Sequence, residues 1–311
     1  MGYGDRSGPA GNSPFERHRE AVRRRLLDAG GIPRASPTSR RVNREIVAVA
    51  GWGRAILLQF AHPLVAAGVA DHSAFGGSLP AALRRLRSTV GAMLSLTFGD
   101  DEEAIAAAAG INTIHDRVHG HLRATAGPFA AGTPYSAHDP ELLRWVHATL
   151  LESIPMTYEL LVGPLTPAEQ DRYCEEAAVT EPLLDIPAGS LPRSTAQLAA
   201  YMRAMYGSGA ITVTDTSRAL AREVLFPPQW YLLWPALRPV QLITIGLLPP
   251  AIRDAYGFRW HAQDARAFIR WVTMLRRVHA ALPPLIRHWP MARRAQARRG
   301  LETAPATATD A

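Results

Sequence analysis

The chain has 311 residues, 47% of them hydrophobic, and 34 basic against 27 acidic residues give a formal net charge of +7. That composition supports a proper core, and without a repeat or a composition break it predicts one large domain rather than two. Every basic residue is arginine; no nucleic-acid motif accompanies the charge, so no nucleic-acid partner is expected, whereas peripheral contact with an anionic membrane fits it. The single cysteine, Cys174, excludes an intramolecular disulfide and a cysteine zinc cluster and fits a cytoplasmic location, and the first residues lack the apolar run of a secretory signal.

Residues 1–14 are rich in Gly, Ser and Pro and read as disordered. Phe15 to Ala29 reads as an amphipathic helix stopped by Gly30-Gly31. One helix is expected from about Arg41 to Phe60, with Ile46, Val49, Trp52, Ile56 and Phe60 covering most of its circumference, the mark of a central helix. Gly51 and Gly53 inside it each cost about 1 kcal/mol against alanine, which points to close approach by another helix or by a flat ligand. His62-Pro63 breaks the helix; a short apolar one follows, ending at Asp71-His72-Ser73, with a loop at Gly76-Gly77.

Leu79 to Phe98 reads as a long helix carrying Arg85, Thr89 and Met93 on one stripe. Gly99-Asp100-Asp101 caps the next, expected from Glu102 to about Leu122 with His115 and His119 four apart on one face. After a Gly/Pro-rich loop, Asp139-Pro140-Glu141 opens a helix to about Val162, and the capping box Thr166-Pro167-Ala168-Glu169 opens one to about Leu184. Ser194 to Tyr206 and Ser217 to Leu225 follow. Trp230 to Leu248 approaches the length of a membrane span, but Arg238, Pro235 and Pro239 argue for a buried helix pair broken by proline. Leu248 to Tyr256 is a short helical turn and Asp264 to Leu282 a closing amphipathic helix. Only Ala210 to Thr214 is a β-branched run. The fold class is all-α: one helical domain over residues 15–288, with residues 289–311 an arginine-rich, low-complexity tail.

Four of the eleven histidines, His62, His72, His115 and His119, lie between Arg44 and Gly120, together with Arg85 and Thr89. Imidazoles and a few polar groups among apolar helices suggest a buried cofactor pocket, a haem. A neutral imidazole is a good axial ligand for haem iron, though His115 also reads as a hydrogen-bonded core histidine. His115 and His119 at helical spacing would suit zinc, but HExxH and a third ligand are absent. Arg85 suits a propionate and Thr89 offers a hydroxyl on the same stripe; the alternative is a solvated face, with Thr89 bonding its own helix. No G-x-S-x-G surrounds Ser73, and no nucleotide loop or Cys-x-x-Cys-His occurs. Trp52, Trp145, His147 and Trp271 read as packing.

Three stretches carry a resemblance: Leu58-Gln59-Phe60-Ala61-His62-Pro63 running into Ala66-Ala67-Gly68-Val69-Ala70-Asp71-His72-Ser73, then Arg85-Leu86-Arg87-Ser88-Thr89, then Ile114-His115-Asp116-Arg117-Val118-His119-Gly120. Tyr135 to His147 and Leu247 to Arg253 support it. Over about Arg41 to Trp260 the chain resembles the catalytic-domain family shared by rubber oxygenase (latex-clearing protein) and the fungal oxygenase MpaB. The resemblance implies an all-α fold around a non-covalent haem b, with His115 as iron ligand and Arg85 and Thr89 on the distal side. It implies oxygenase chemistry with dioxygen on a hydrophobic, isoprenoid or olefinic substrate. Ser88 stands where rubber oxygenase carries a lysine that closes the distal site, so no such closed state is available here. The rival expectations are a haem carrier or sensor without turnover, and a cofactor-free lipid- or membrane-associated helical protein.

Overall fold

A computed structural model describes residues 13–31, 37–72, 79–227, 231 and 234–302. The expected disorder at residues 1–12, Ser73, the Gly76-Gly77 loop, Trp230 and the tail beyond residue 302 lie outside the described residues, as does the side chain of Arg85.

The described residues are predominantly helical, as expected. Helix α1 (Pro14–Asp28) begins at Ser13, whose side chain accepts from the Glu16 N–H. Then come α2 (Pro37–Asn43), a 3-10 turn (Ile46–Val49), α3 (Ala50–Phe60), α4 (Pro63–His72), α5 (Leu79–Phe98) and α6 (Asp101–His115). A short antiparallel hairpin, β1 (His119–His121) and β2 (Pro134–Ser136), separates these from α7 (Pro140–Leu161). Helices α8 (Pro167–Ala177), α9 (Thr180–Leu184), α10 (Thr195–Gly207), α11 (Asp215–Leu225), α12 (Trp234–Gly246), α13 (Pro250–Ala255), α14 (Ala262–Ala281), α15 (Pro284–Arg287) and α16 (Pro290–Glu302) complete it. The capping box at Thr166 and Glu169 forms, and so does one at Asp100 and Glu103.

The centre is the pair α3 and α7, with α12 and α11 against α3 and α14 against α7. Leu57, Leu58, Trp145 and Leu161 are fully buried there. Helices α1 and α5 flank α6, and α16 lies on α5, where Ala292 and Ala295 pack on Phe98. The two central glycines meet helices. A Cβ on Gly51 would stand 2.6 Å from the Ser153 carbonyl of α7, and one on Gly53 would stand 2.5 Å from Thr244 Oγ1 of α12.

Three local expectations are corrected. The helix foreseen from Arg41 to Phe60 breaks at Arg44-Glu45, because Glu45 turns extended and forms a β-bridge with His288. The helix foreseen to Leu122 stops at His115; His119 pairs with Ser136 in the hairpin, so the two histidines do not share a helical face. Pro239 does not break its segment but lies inside α12, where Leu242 and Ile243 are buried. No single helix among the described residues is long and apolar enough to cross a membrane; the pair Ile46–Phe60 and Pro63–His72 passes by composition, but it is bent by 104°.

Candidate functional site

His115 ends α6, and its ring is largely withdrawn from water. Its Nδ1 is buried without a hydrogen-bond partner. Burial, helped by repulsion from His138 and His147, pushes the ring's pKa down to about 4, so at neutral pH it is an uncharged imidazole with an unspent nitrogen. The next residue organises the surroundings. Asp116 accepts from His18 Nε2 of α1 at 2.8 Å and from His138 Nε2 at 2.9 Å. The two imidazoles hold the Asp116 carboxyl below its ordinary range. His138, so anchored, packs edge-on to His115 with ring centroids 5.7 Å apart.

The other predicted residues scatter. His62 is buried at the α3–α4 break, its Nδ1 unpartnered, its ring 5.2 Å from that of Phe129 and its pKa pushed by burial to about 4. His72 and His119 come together, Nε2 of His72 meeting the His119 carbonyl at 3.0 Å, but both are exposed. Thr89 is exposed on α5. Tyr135 donates to Asp71 at 2.7 Å, which occupies the acid beside His72.

One residue read as packing belongs with the site. His147, on α7, lines a cavity of about 110 Å³ together with Trp52, Met93, Leu150, Leu151 and Ile154, between α3, α5 and α7. Its Nδ1 lies 2.8 Å from the Leu143 carbonyl one turn back. A carbonyl only accepts, so the proton is on Nδ1 and Nε2 keeps its lone pair. Burial lowers the pKa of this ring as well. The sequence signal was its place at the end of the Tyr135–His147 stretch; helix periodicity alone files it with the core.

What these residues can hold follows from their donors. Three imidazoles that desolvation keeps neutral, His62, His115 and His147, are chemistry that fits a haem iron; His115 and His147 each join a ring nitrogen without a described partner to a helical mount, and in His115 that nitrogen, Nδ1, is itself buried. The cavity at His147 does not reach His115, which is packed against His138, so a macrocycle at His115 requires its surroundings to part. Among the described residues no group of three or more His, Cys, Asp or Glu is arranged for a metal ion, and His115 and His119 do not share the helical face that a zinc pair was expected to use.

An all-α protein with neutral, largely desolvated imidazoles on and beside its central helices is the class that fold and site define. The family described as ER-bound oxygenase mpaB/B'/Rubber oxygenase, catalytic domain, matches residues 39–277, most of the chain, and the chain belongs to that family of oxygenase catalytic domains. No curated protein and no solved structure matches it.

Proposed function

We propose that the protein is a haem b-dependent oxygenase acting on a hydrophobic, olefinic small molecule, with His115 as the iron ligand. The observation that supports this reading best is the half-buried, unprotonated His115 ring with its buried, partnerless Nδ1, set inside the family-matched region. The chemistry such a group supplies when bound is dioxygen activation.

The chain's own residues do the rest. His115 offers a nitrogen lone pair that burial keeps free of a proton down to about pH 4. Asp116 orients His138, and through it the edge against which the His115 ring rests. Helix α1 fastens the same corner, through His18 to Asp116 and through Arg19 and Arg23 to Glu102. Arg85 and Thr89, which the resemblance puts near the haem, would offer it a guanidinium for a propionate and a hydroxyl donor. The apolar side chains around α3 and α7 exclude water.

The test is reconstitution of the purified protein with haemin, followed by dioxygen uptake in the presence of a reductant and an isoprenoid olefin. Olefin-dependent uptake, lost in His115→Ala, is expected. A reconstituted protein that consumes no dioxygen with any olefin would be a carrier instead.

A further inference from the structure

The positive charge of this chain is not spread evenly. From Ala265 to Leu301 there are nine arginines and no aspartate or glutamate, which leaves the rest of the chain slightly acidic. Exposed apolar side chains gather in the same place. Of the ten large hydrophobic residues that stand exposed among those described, five lie on α14 and α15: Ile269, Met274, Val278, Leu285 and Ile286. Leu285 is 68% exposed and Ile286 56%, side by side on the short helix that follows Pro283. Apolar groups clustered on a surface and set among like charges mark a contact with something else.

The inner face of α14 is accounted for. Phe268 packs edge-on to Trp260, a Cβ on Gly246 of α12 would stand 2.7 Å from the Phe268 ring, and His279 donates to the buried Glu45. The outer face carries Arg266, Arg270 and Arg277 in one row, at i, i+4 and i+11. Met274 and Val278, four apart, run beside that row, and Ile269 flanks it on the other side. No carboxylate among the described residues pairs with Arg266, Arg270, Arg276 or Arg277. The one acid on the helix, Asp264, accepts from Arg238 and from the His261 N–H. This pattern chooses among occupants. A protein interface has an apolar centre ringed by charge; here the charge runs down the middle. A second copy of the chain would set arginine against arginine. No exposed Trp, Tyr or Phe on α14 or α15 offers a base a ring to stack on. A lipid headgroup layer suits both parts, since arginine stems lie along apolar surface while their heads reach phosphate.

From these observations we infer that the face formed by α14 and α15 docks the protein on an anionic phospholipid bilayer, its exposed apolar side chains entering the headgroup layer and Arg266, Arg270 and Arg277 meeting lipid phosphates and carboxylates. The inference goes beyond the oxygenase reading and stands without it, because vesicle binding needs neither haem nor turnover.

The test is co-sedimentation of the whole purified chain with two kinds of vesicle, phosphatidylcholine alone and phosphatidylcholine mixed with phosphatidylserine. Binding to the mixed vesicles, weakened by salt, and little binding to phosphatidylcholine alone are expected. The double variant Arg270→Gln, Arg277→Gln should bind the mixed vesicles roughly thirtyfold more weakly, the worth of two arginines at an anionic surface. A control that removes the same charge elsewhere, at the exposed Arg24 of α1 and Arg172 of α8 (Arg24→Gln, Arg172→Gln), should change binding little. Leu285→Ser with Ile286→Ser should lose the binding that survives high salt. Equal binding of the unsubstituted protein to both vesicles, or to neither, would overturn the proposal whether or not the variants fold. An equal loss in the control pair would overturn it too, since net charge and not this face would then govern binding. A dimer in solution that Leu285→Ser with Ile286→Ser dissociates, without vesicle binding, would give the face to a second copy instead. Failure of haem binding or dioxygen uptake with vesicle binding intact would count against the oxygenase reading alone.

Discussion

Glu45 and His288 meet twice: their backbones form an antiparallel bridge, and His288 Nε2 donates to Glu45 Oε1 at 3.0 Å. The other carboxylate oxygen accepts from His279 Nε2 at 2.9 Å. All three side chains are buried, and residues 279 and 288 flank α15. One acid near the start of the domain thus holds the last three helices to the wall of the His147 chamber, which Glu45 and Trp289 also line. Glu45→Ala leaves two buried imidazole N–H groups without an acceptor, and it should cost about 3 kcal/mol. Urea unfolding should show the loss, and hydrogen exchange should rise first in α16. An unchanged midpoint would mean that the contact is dispensable.

Acid sensitivity follows from His62. Its pKa is pushed down to about 4, burial outweighing the opposing pull of Asp139. The folded ring stays neutral while the unfolded one takes up a proton near its ordinary value of about 6.5. Stability from this group is therefore complete above about pH 6.5 and falls as the pH drops towards 4, by on the order of 3 kcal/mol. Replacing His62 with leucine should flatten that part of the profile, measured as urea midpoint against pH. A profile as steep as that of the unsubstituted protein would place the acid sensitivity elsewhere.

At Gly51 two effects compete. Alanine would favour the helix by about 1 kcal/mol, but its Cβ would press on the Ser153 carbonyl at 2.6 Å and on Thr157 Oγ1 at 2.7 Å. Backbone cannot yield as a side chain end does, and overpacking of this kind costs about 1–3 kcal/mol. Gly51→Ala should lower Tm by several degrees. A rise in Tm would show that α3 and α7 have slack between them.

What was legible in the sequence was what local chemistry decides. The bounds of α5, the capping box before α8 and the proline break at His62-Pro63 each depend on neighbours in the chain. The break at Glu45 was hidden because its cause is His288, and nothing near Glu45 announces it. The end of α6 at His115 was hidden for the same reason: the segment after it pairs with Pro134 to Ser136. His115 stood out in its motif, but the company it keeps, His18 on α1 and His138 beyond the hairpin, is a property of the fold. His147 reads as packing because a histidine four residues after a leucine on an apolar helix bonds back to that turn, as it does here to Leu143. Its place on the wall of a chamber is a property of the fold.

The central claim is that the ring at position 115 binds haem iron. The most direct measurement is the visible absorption spectrum of the haemin-reconstituted protein, compared with His115→Ala and His119→Ala. The account predicts a Soret band in the unsubstituted protein, its loss in His115→Ala, and an unaltered band in His119→Ala, whose ring lies exposed on the hairpin. A His115→Ala protein that keeps its haem with an unshifted band would contradict it.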